Sequence, residues 1–190
     1  MAADVELESL LRSVELVVLD VDGVLTDGGI IWVSLPSAPG APAECVEAKQ
    51  FSVRDGLALR WASRLGLKTA ILSSRSSPAV EVRAKELALT RVLTGIADKG
   101  HGVRLLCAEL GVDPARAAYL GDDLPDLAAM AVVGLPCAVA DAAPEVLAAA
   151  CVVMSVTGGH GAARELLEAI LRAKGLWERV VDHFASGNAP

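Results

Sequence analysis

Leu16-Val17-Val18-Leu19-Asp20-Val21-Asp22-Gly23-Val24 decides the fold of this 190-residue chain. Residues 14–20 read as a buried strand, with Leu16 to Leu19 as its apolar centre. Two carboxylates, Asp20 and Asp22, leave the strand's end and Gly23 follows at once. Negative charge gathered there is costly unless a cation shares the site. A divalent ion such as Mg²⁺ meets that need, because it prefers carboxylate oxygens and keeps positions open for a substrate phosphate. An Asp-rich turn uses the same residue types, so the rest of the chain must decide.

A second strand, residues 67–72, ends in Ser73-Ser74-Arg75. A further strand, residues 117–120, ends in Gly121-Asp122-Asp123-Leu124-Pro125-Asp126. Lys99 opens a helical pattern that runs to Leu110 and is closed by Gly111. In an open parallel sheet all strand C-termini lie on one edge, where ligands bind. One pocket is therefore expected to hold two acids, a hydroxyl, an ammonium and two or three further acids.

Other helical patterns cover residues 6–13, 55–65, 78–87, 124–132, 161–173 and 177–184. Short strands at 91–93, 137–139 and 151–154 stand among them, the last two placed toward a sheet edge. Repeated strand–helix units predict an α/β fold, a three-layer Rossmann-like open parallel sheet with helices on both faces. Residues 1–185 are expected to form one domain, with 186–190 a loose tail. One segment breaks the rhythm. Residues 29–33 and 44–51 read as a β-hairpin around a Pro-rich loop, 34–42, inserted after the first strand. A free hairpin would expose Ile30, Ile31, Trp32, Val33 and Val46, and isolated hairpins are marginal in water. Burial against a neighbouring subunit is the favoured reading.

The net charge of −7 leaves no basic stripe to neutralise nucleic-acid phosphates. It does not exclude a small phosphorylated substrate, which needs only local cations and a metal. The four cysteines, Cys45, Cys107, Cys137 and Cys151, have no Cys-x-x-Cys spacing and apolar neighbours. They read as reduced core or near-core residues of a cytosolic protein. The N-terminal Asp4, Glu6 and Glu8 have the wrong sign for a signal peptide. The uncharged apolar stretch 127–140, broken by Gly134 and Pro136, is too short to span a bilayer. A cytoplasmic location is expected, with no membrane partner.

The order of these motifs resembles the haloacid dehalogenase superfamily of phosphotransferases. Asp20-Val21-Asp22-Gly23-Val24 is similar to its first motif, Ser73 to its second, Lys99 to its third and Gly121-Asp122-Asp123 to its fourth. Leu25-Thr26-Asp27-Gly28, Phe51-Ser52-Val53-Arg54-Asp55-Gly56 and Gly158-Gly159-His160-Gly161-Ala162-Ala163-Arg164-Glu165 resemble the capless subgroup. That subgroup includes the 3-deoxy-D-manno-octulosonate 8-phosphate phosphatases, the sialic-acid-type 9-phosphate phosphatases and the assembly domain of CMP-sialate synthetases.

The resemblance implies a fold with no cap domain, an Mg²⁺ cofactor and tetramers assembled through the hairpin. It implies a phosphomonoesterase acting on a keto-sugar acid phosphate of lipopolysaccharide biosynthesis. Asp20 is then the nucleophile and Asp22 the acid/base, with Lys99 neutralising charge. Asp20, Asp22 (through its carbonyl) and Asp122 are the metal ligands, supported by Asp123 and Asp126. Ser73 and the Ser74 amide bind phosphate, where the family usually has glycine at position 74. Arg54, Arg75 and His160 grip the sugar acid, although Arg75 equally suits a surface ion pair. His160 stands where many relatives have arginine. His101 and His183 read as ordinary surface residues. Among other classes, the intact acids speak against a silent assembly domain. The inserted hairpin fits a phospho-acceptor receiver domain poorly.

Overall fold

The computed structural model describes residues 2–36 and 43–187. Most of the proline-rich hairpin loop and the last three tail residues therefore lie outside the described residues. Six strands form one parallel sheet. They are β1 (Leu16–Leu19), β4 (Lys68–Leu72), β5 (Arg91–Leu93), β6 (Ala117–Gly121), β7 (Leu135–Ala138) and β8 (Val152–Val153). The sheet order is β5-β4-β1-β6-β7-β8, every neighbour parallel. The chain works outward from β1 to one edge, then returns to β6 and works outward to the other. The order therefore reverses between β1 and β6, and ligands bind outside the carboxyl ends of strands at such a switch point.

The strands follow the side-chain pattern. Leu16, Val17, Val18 and Leu19 are wholly buried, as a strand covered on both faces requires. Helices α1 (Ala2–Ser13), α2 (Val53–Arg64) and α7 (Ala162–Ala173) pack together, while α4 (Lys99–Leu110), α5 (Leu127–Met130) and α6 (Pro144–Ala149) form a second group. Right-handed crossovers from the two halves of the sheet put such groups on opposite faces. Helix α3 (Pro78–Leu87) connects β4 to β5. A smaller cluster of Trp61, Leu171, Trp177 and Val180 seats the last helix, α8 (Trp177–Ala185), against α2 and α7. Among the described residues no helix is long and apolar enough to cross a membrane.

The inserted hairpin is β2 (Ile31–Leu35) paired antiparallel with β3 (Glu44–Ala48). All of β2 is exposed.

Three expectations need correction, and one helix was not expected. Cys107 and Cys137 are buried, but Cys45 and Cys151 are exposed. Cys45 lies on the exposed hairpin and Cys151 precedes the edge strand β8, so apolar sequence neighbours did not mean burial. The pattern at 124–132 is not one helix. A 3-10 turn over Leu124–Asp126 precedes α5, because Asp123 and Asp126 form a capping box around Pro125. Helix α6 carried no clear periodic signal in its alanine-rich run. His183 is not a free surface residue: its ring lies 4.6 Å from that of Trp61, edge-on.

Candidate active site

The site lies where β1, β4 and β6 end side by side. Asp20 follows β1 directly and is only 6% exposed. Its backbone N–H donates to Leu120 O at 3.1 Å, which ties the nucleophile candidate to the neighbouring strand. The chain then turns sharply at Gly23, whose φ is +88°. A Cβ there would stand 2.0 Å from Asp122 Oδ2, so only glycine lets the first and fourth motifs meet. Gly158 plays the matching part from the other side, where a Cβ would fall 1.7 Å from Gly23 O. The Gly159 N–H donates to Val24 O at 2.9 Å and closes the loop.

Lys99 is the first residue of α4, whose N-cap Asp98 accepts from the His101 N–H. The cap starts the helix at the sheet edge, so the lysine enters the site rather than solvent. Lys99 is buried, with Nζ 2.9 Å from Asp20 Oδ2 and 2.5 Å from Asp126 Oδ1. Asp126 is wholly buried and fully engaged. It accepts from Tyr119 Oη at 2.6 Å and from the Asp122 N–H at 2.8 Å. Asp126 thus supports Lys99 and the fourth-motif backbone. Asp123 is exposed, and its side chain caps the 3-10 turn instead of entering the cluster.

Oxygens of Asp20, Asp122 and Asp126 all lie within 4.8 Å of one another. Burial, then the Asp126 charge, push the Asp20 carboxyl up to about 6, Lys99 drawing it back only in part. Burial, then Asp126 and Asp20, lift Asp122 to about 8. Lys99 is itself held above its ordinary range: burial opposes its charge, but Asp20 and Asp126 outweigh burial. When all are ionised, three carboxylates face one ammonium and two negative charges stay unbalanced. Asp122 Oδ1 is buried and has no hydrogen-bond partner. A hard divalent cation fits this donor set, since the free donors are oxygens and neither histidine nor cysteine joins them.

Asp22 faces elsewhere. Its Oδ1 accepts from Lys49 Nζ, and its Oδ2 lies 3.9 Å from Arg75 Nε. Lys49 Nζ is also 2.9 Å from Glu47 Oε1, which Arg75 Nη2 approaches at 3.1 Å. Burial opposes the charge on Lys49, yet Asp22 and Glu47 together hold it above the usual lysine range. Glu47 and Lys49 were not among the residues expected from sequence. They belong to the hairpin, 25 and 27 residues beyond Asp22, and only the spacing Glu-x-Lys-x-Phe hinted at them.

Ser73 is buried at the end of β4, and its Oγ accepts the Arg75 N–H at 3.2 Å. Ser74 beside it is exposed. Arg75 is thus no free surface cation: it bridges the second motif, the first motif and the hairpin.

Arg54 and His160 are brought together, but in an adjoining groove. Arg54, His160, Arg164 and Arg172 line a cavity of about 690 Å³ with Ser155 and Glu165. None of the three clustered acids lines it. His160 Nδ1 lies 2.7 Å from Gly158 O. The groove's frame depends on Asp55, which sequence reading left without a role. Asp55 is buried on α2 and accepts the Arg164 N–H of α7 at 2.7 Å. His101 is exposed, as expected.

A parallel sheet with acids at its switch point, a buried lysine and a strand-end serine defines a phosphoryl-handling hydrolase site. Residues 88–166 match the haloacid dehalogenase-like hydrolase family. The 3-deoxy-D-manno-octulosonate 8-phosphate phosphatase of Escherichia coli is 38% identical over 164 residues, 86% of this chain and 82% of that protein. The crystal structure of such a phosphatase from Moraxella catarrhalis holds magnesium ion, phosphate ion and a KDO molecule. It matches with a TM-score of 0.85 at 35% identity, covering 94% of this chain and 98% of that one. The cobalt-bound form from Haemophilus influenzae matches with a TM-score of 0.78 at 37% identity, covering 88% and 93%. The chain therefore belongs to the haloacid dehalogenase-like hydrolases, and within them to the 3-deoxy-D-manno-octulosonate 8-phosphate phosphatase family.

Proposed function

We infer that the chain hydrolyses 3-deoxy-D-manno-octulosonate 8-phosphate, with Mg²⁺, to the free keto-sugar acid and inorganic phosphate. The observation that carries this reading is the buried Asp20 carboxylate, held by Lys99 beside an Asp122 oxygen that has no protein partner. Asp20, Asp122 and the Asp22 carbonyl would hold the ion. When bound, it neutralises the phosphoryl oxygens, which otherwise repel a carboxylate nucleophile.

The chain's own residues divide the remaining work. An Asp20 oxygen attacks phosphorus, the ester P–O bond breaks, and Asp22 gives its proton to the leaving sugar oxygen. In the second half Asp22 takes a proton from water. That water's oxygen attacks the aspartyl-phosphate, which releases phosphate and restores the Asp20 carboxylate. Lys99 holds Asp20 and stabilises the charge that develops beside it. The Ser73 hydroxyl and the Ser74 amide bind phosphoryl oxygens. Arg75 offers a guanidinium to the acidic sugar, and Arg54 and His160 extend the cationic surface. Asp126 supports Lys99 from within, while Asp123 shapes the turn that presents Asp122.

Phosphate release from a panel of sugar phosphates tests this reading. The eight-carbon acid 8-phosphate should be the best substrate with Mg²⁺, and excess chelator should abolish turnover. A clear preference for a nine-carbon acid 9-phosphate would reassign the substrate. Full activity in chelator would reject the metal.

The protein is a cytoplasmic homotetramer joined through the hairpin. What supports this is the apolar surface of the hairpin: Ile30, Ile31, Trp32, Val33, Leu35 and Val46 are 36–63% exposed. A patch of this kind marks a protein interface. Light scattering should give four times the chain mass, and deleting residues 34–45 should break the oligomer. A clean monomer of the intact chain at micromolar concentration would sink the idea.

A further inference from the structure

The hairpin carries one buried cation that the reaction above does not use, and it lies against the acid/base. Lys49 follows β3, and its side chain is 1% exposed. Its ammonium donates to Asp22 Oδ1 and sits 2.9 Å from Glu47 Oε1. Arg75 closes the group, 3.1 Å from Glu47 Oε1 and 3.9 Å from Asp22 Oδ2. A buried ion pair contributes little net stability compared with an apolar replacement. Its value here is geometric. With one oxygen tied to Lys49, the Asp22 carboxyl has one orientation, and only Oδ2 is left to face a reacting group. Proton delivery to a leaving oxygen depends on such placement, because a shift of about 1 Å can cost a hundredfold.

We propose that Lys49 is a positioning residue for leaving-group protonation, fixing the Asp22 carboxyl so that its second oxygen meets the ester oxygen of the departing sugar. As the P–O bond breaks, the Asp22 proton passes to that oxygen. The carboxylate left behind sits between Lys49 and Arg75. The hairpin thereby becomes part of its own chain's catalytic wall, and Glu47 holds Lys49 in place from the far side. The proposal rests on the phosphatase reading with Asp22 as the acid.

Lys49→Met tests it with two substrates. A sugar-acid phosphate has a primary-alcohol leaving group that needs protonation, whereas p-nitrophenyl phosphate leaves without it. kcat/KM reports only the steps through leaving-group departure, so it isolates Asp22's role as acid. Lys49→Met should lower kcat/KM for the sugar phosphate by more than about tenfold and change the aryl phosphate by less than about threefold. Lys49→Arg should recover part of the loss. Equal losses on both substrates, or none on either, would overturn the proposal. If Lys49→Met shows no cooperative melt, Lys49→Gln is read by the same ratio. An unmutated protein that releases phosphate from neither substrate would reject the phosphatase reading itself, a distinct result.

Discussion

Asp20→Asn is expected to lower kcat by at least about 10³-fold while the protein keeps its fold. An amide has nearly the shape of a carboxylate, and its oxygen can still accept from Lys99. It is far too weak a nucleophile to attack phosphorus. The fold should tolerate the change, because Asp20 is one of three carboxylates crowded within 4.8 Å. Its carboxyl already pays for burial through a pKa raised to about 6. Removing its charge relieves that repulsion, so the melting temperature of metal-free protein should not fall. Phosphate release measures the first expectation. Acid-quenched protein, probed for covalently bound phosphate after mixing with substrate, measures the cause. Turnover near the unmutated rate would remove Asp20 from the chemistry.

The positions of Asp20, Ser73 and Asp122 were legible in the sequence because strand-end motifs carry their own geometry. Asp20, Ser73 and Asp122 each directly follow, or nearly follow, a run of buried apolar residues. A parallel sheet brings such ends to one edge whatever the loops do. Lys99 was legible for a related reason, since a capped helix start points its first turn at the same edge. Lys49 and Glu47 were not, because they belong to an insertion whose docking no periodic pattern encodes. Tyr119 was hidden differently. It occupies a buried strand position where an aromatic ring needs no explanation, and only the structure shows its hydroxyl on Asp126. Arg54 and His160 show the converse limit. Their motifs were recognised and they do meet, but in a groove beside the acidic cluster. The placing depends on one long-range bond between Asp55 and the Arg164 amide, 109 residues apart.

Asp122→Asn should abolish metal binding and activity together, and yet make the metal-free protein more stable. The Asp122 carboxyl lies at about 8 in the fold, against an ordinary value of 3.8. The folded state therefore holds this proton more tightly than the unfolded chain does. Its contribution is best below pH 4, worsens as pH rises toward 8, and is constant above that. Asparagine carries no charge and escapes this penalty. Allowing for solvent screening of a half-buried group, the gain at pH 8 is about 2 kcal/mol, roughly 4–8 °C in melting temperature. Mg²⁺ should raise the melting temperature of the unmutated protein, more at pH 8 than at pH 6, because ligand carboxylates must lose their protons to bind it. The same ion should leave Asp122→Asn unmoved. Thermal melts at the two pH values, with and without Mg²⁺, measure all four terms. A variant no more stable than the unmutated protein at pH 8 would show that Asp122 bears no such burden. An equal Mg²⁺ shift in both would place the ion elsewhere.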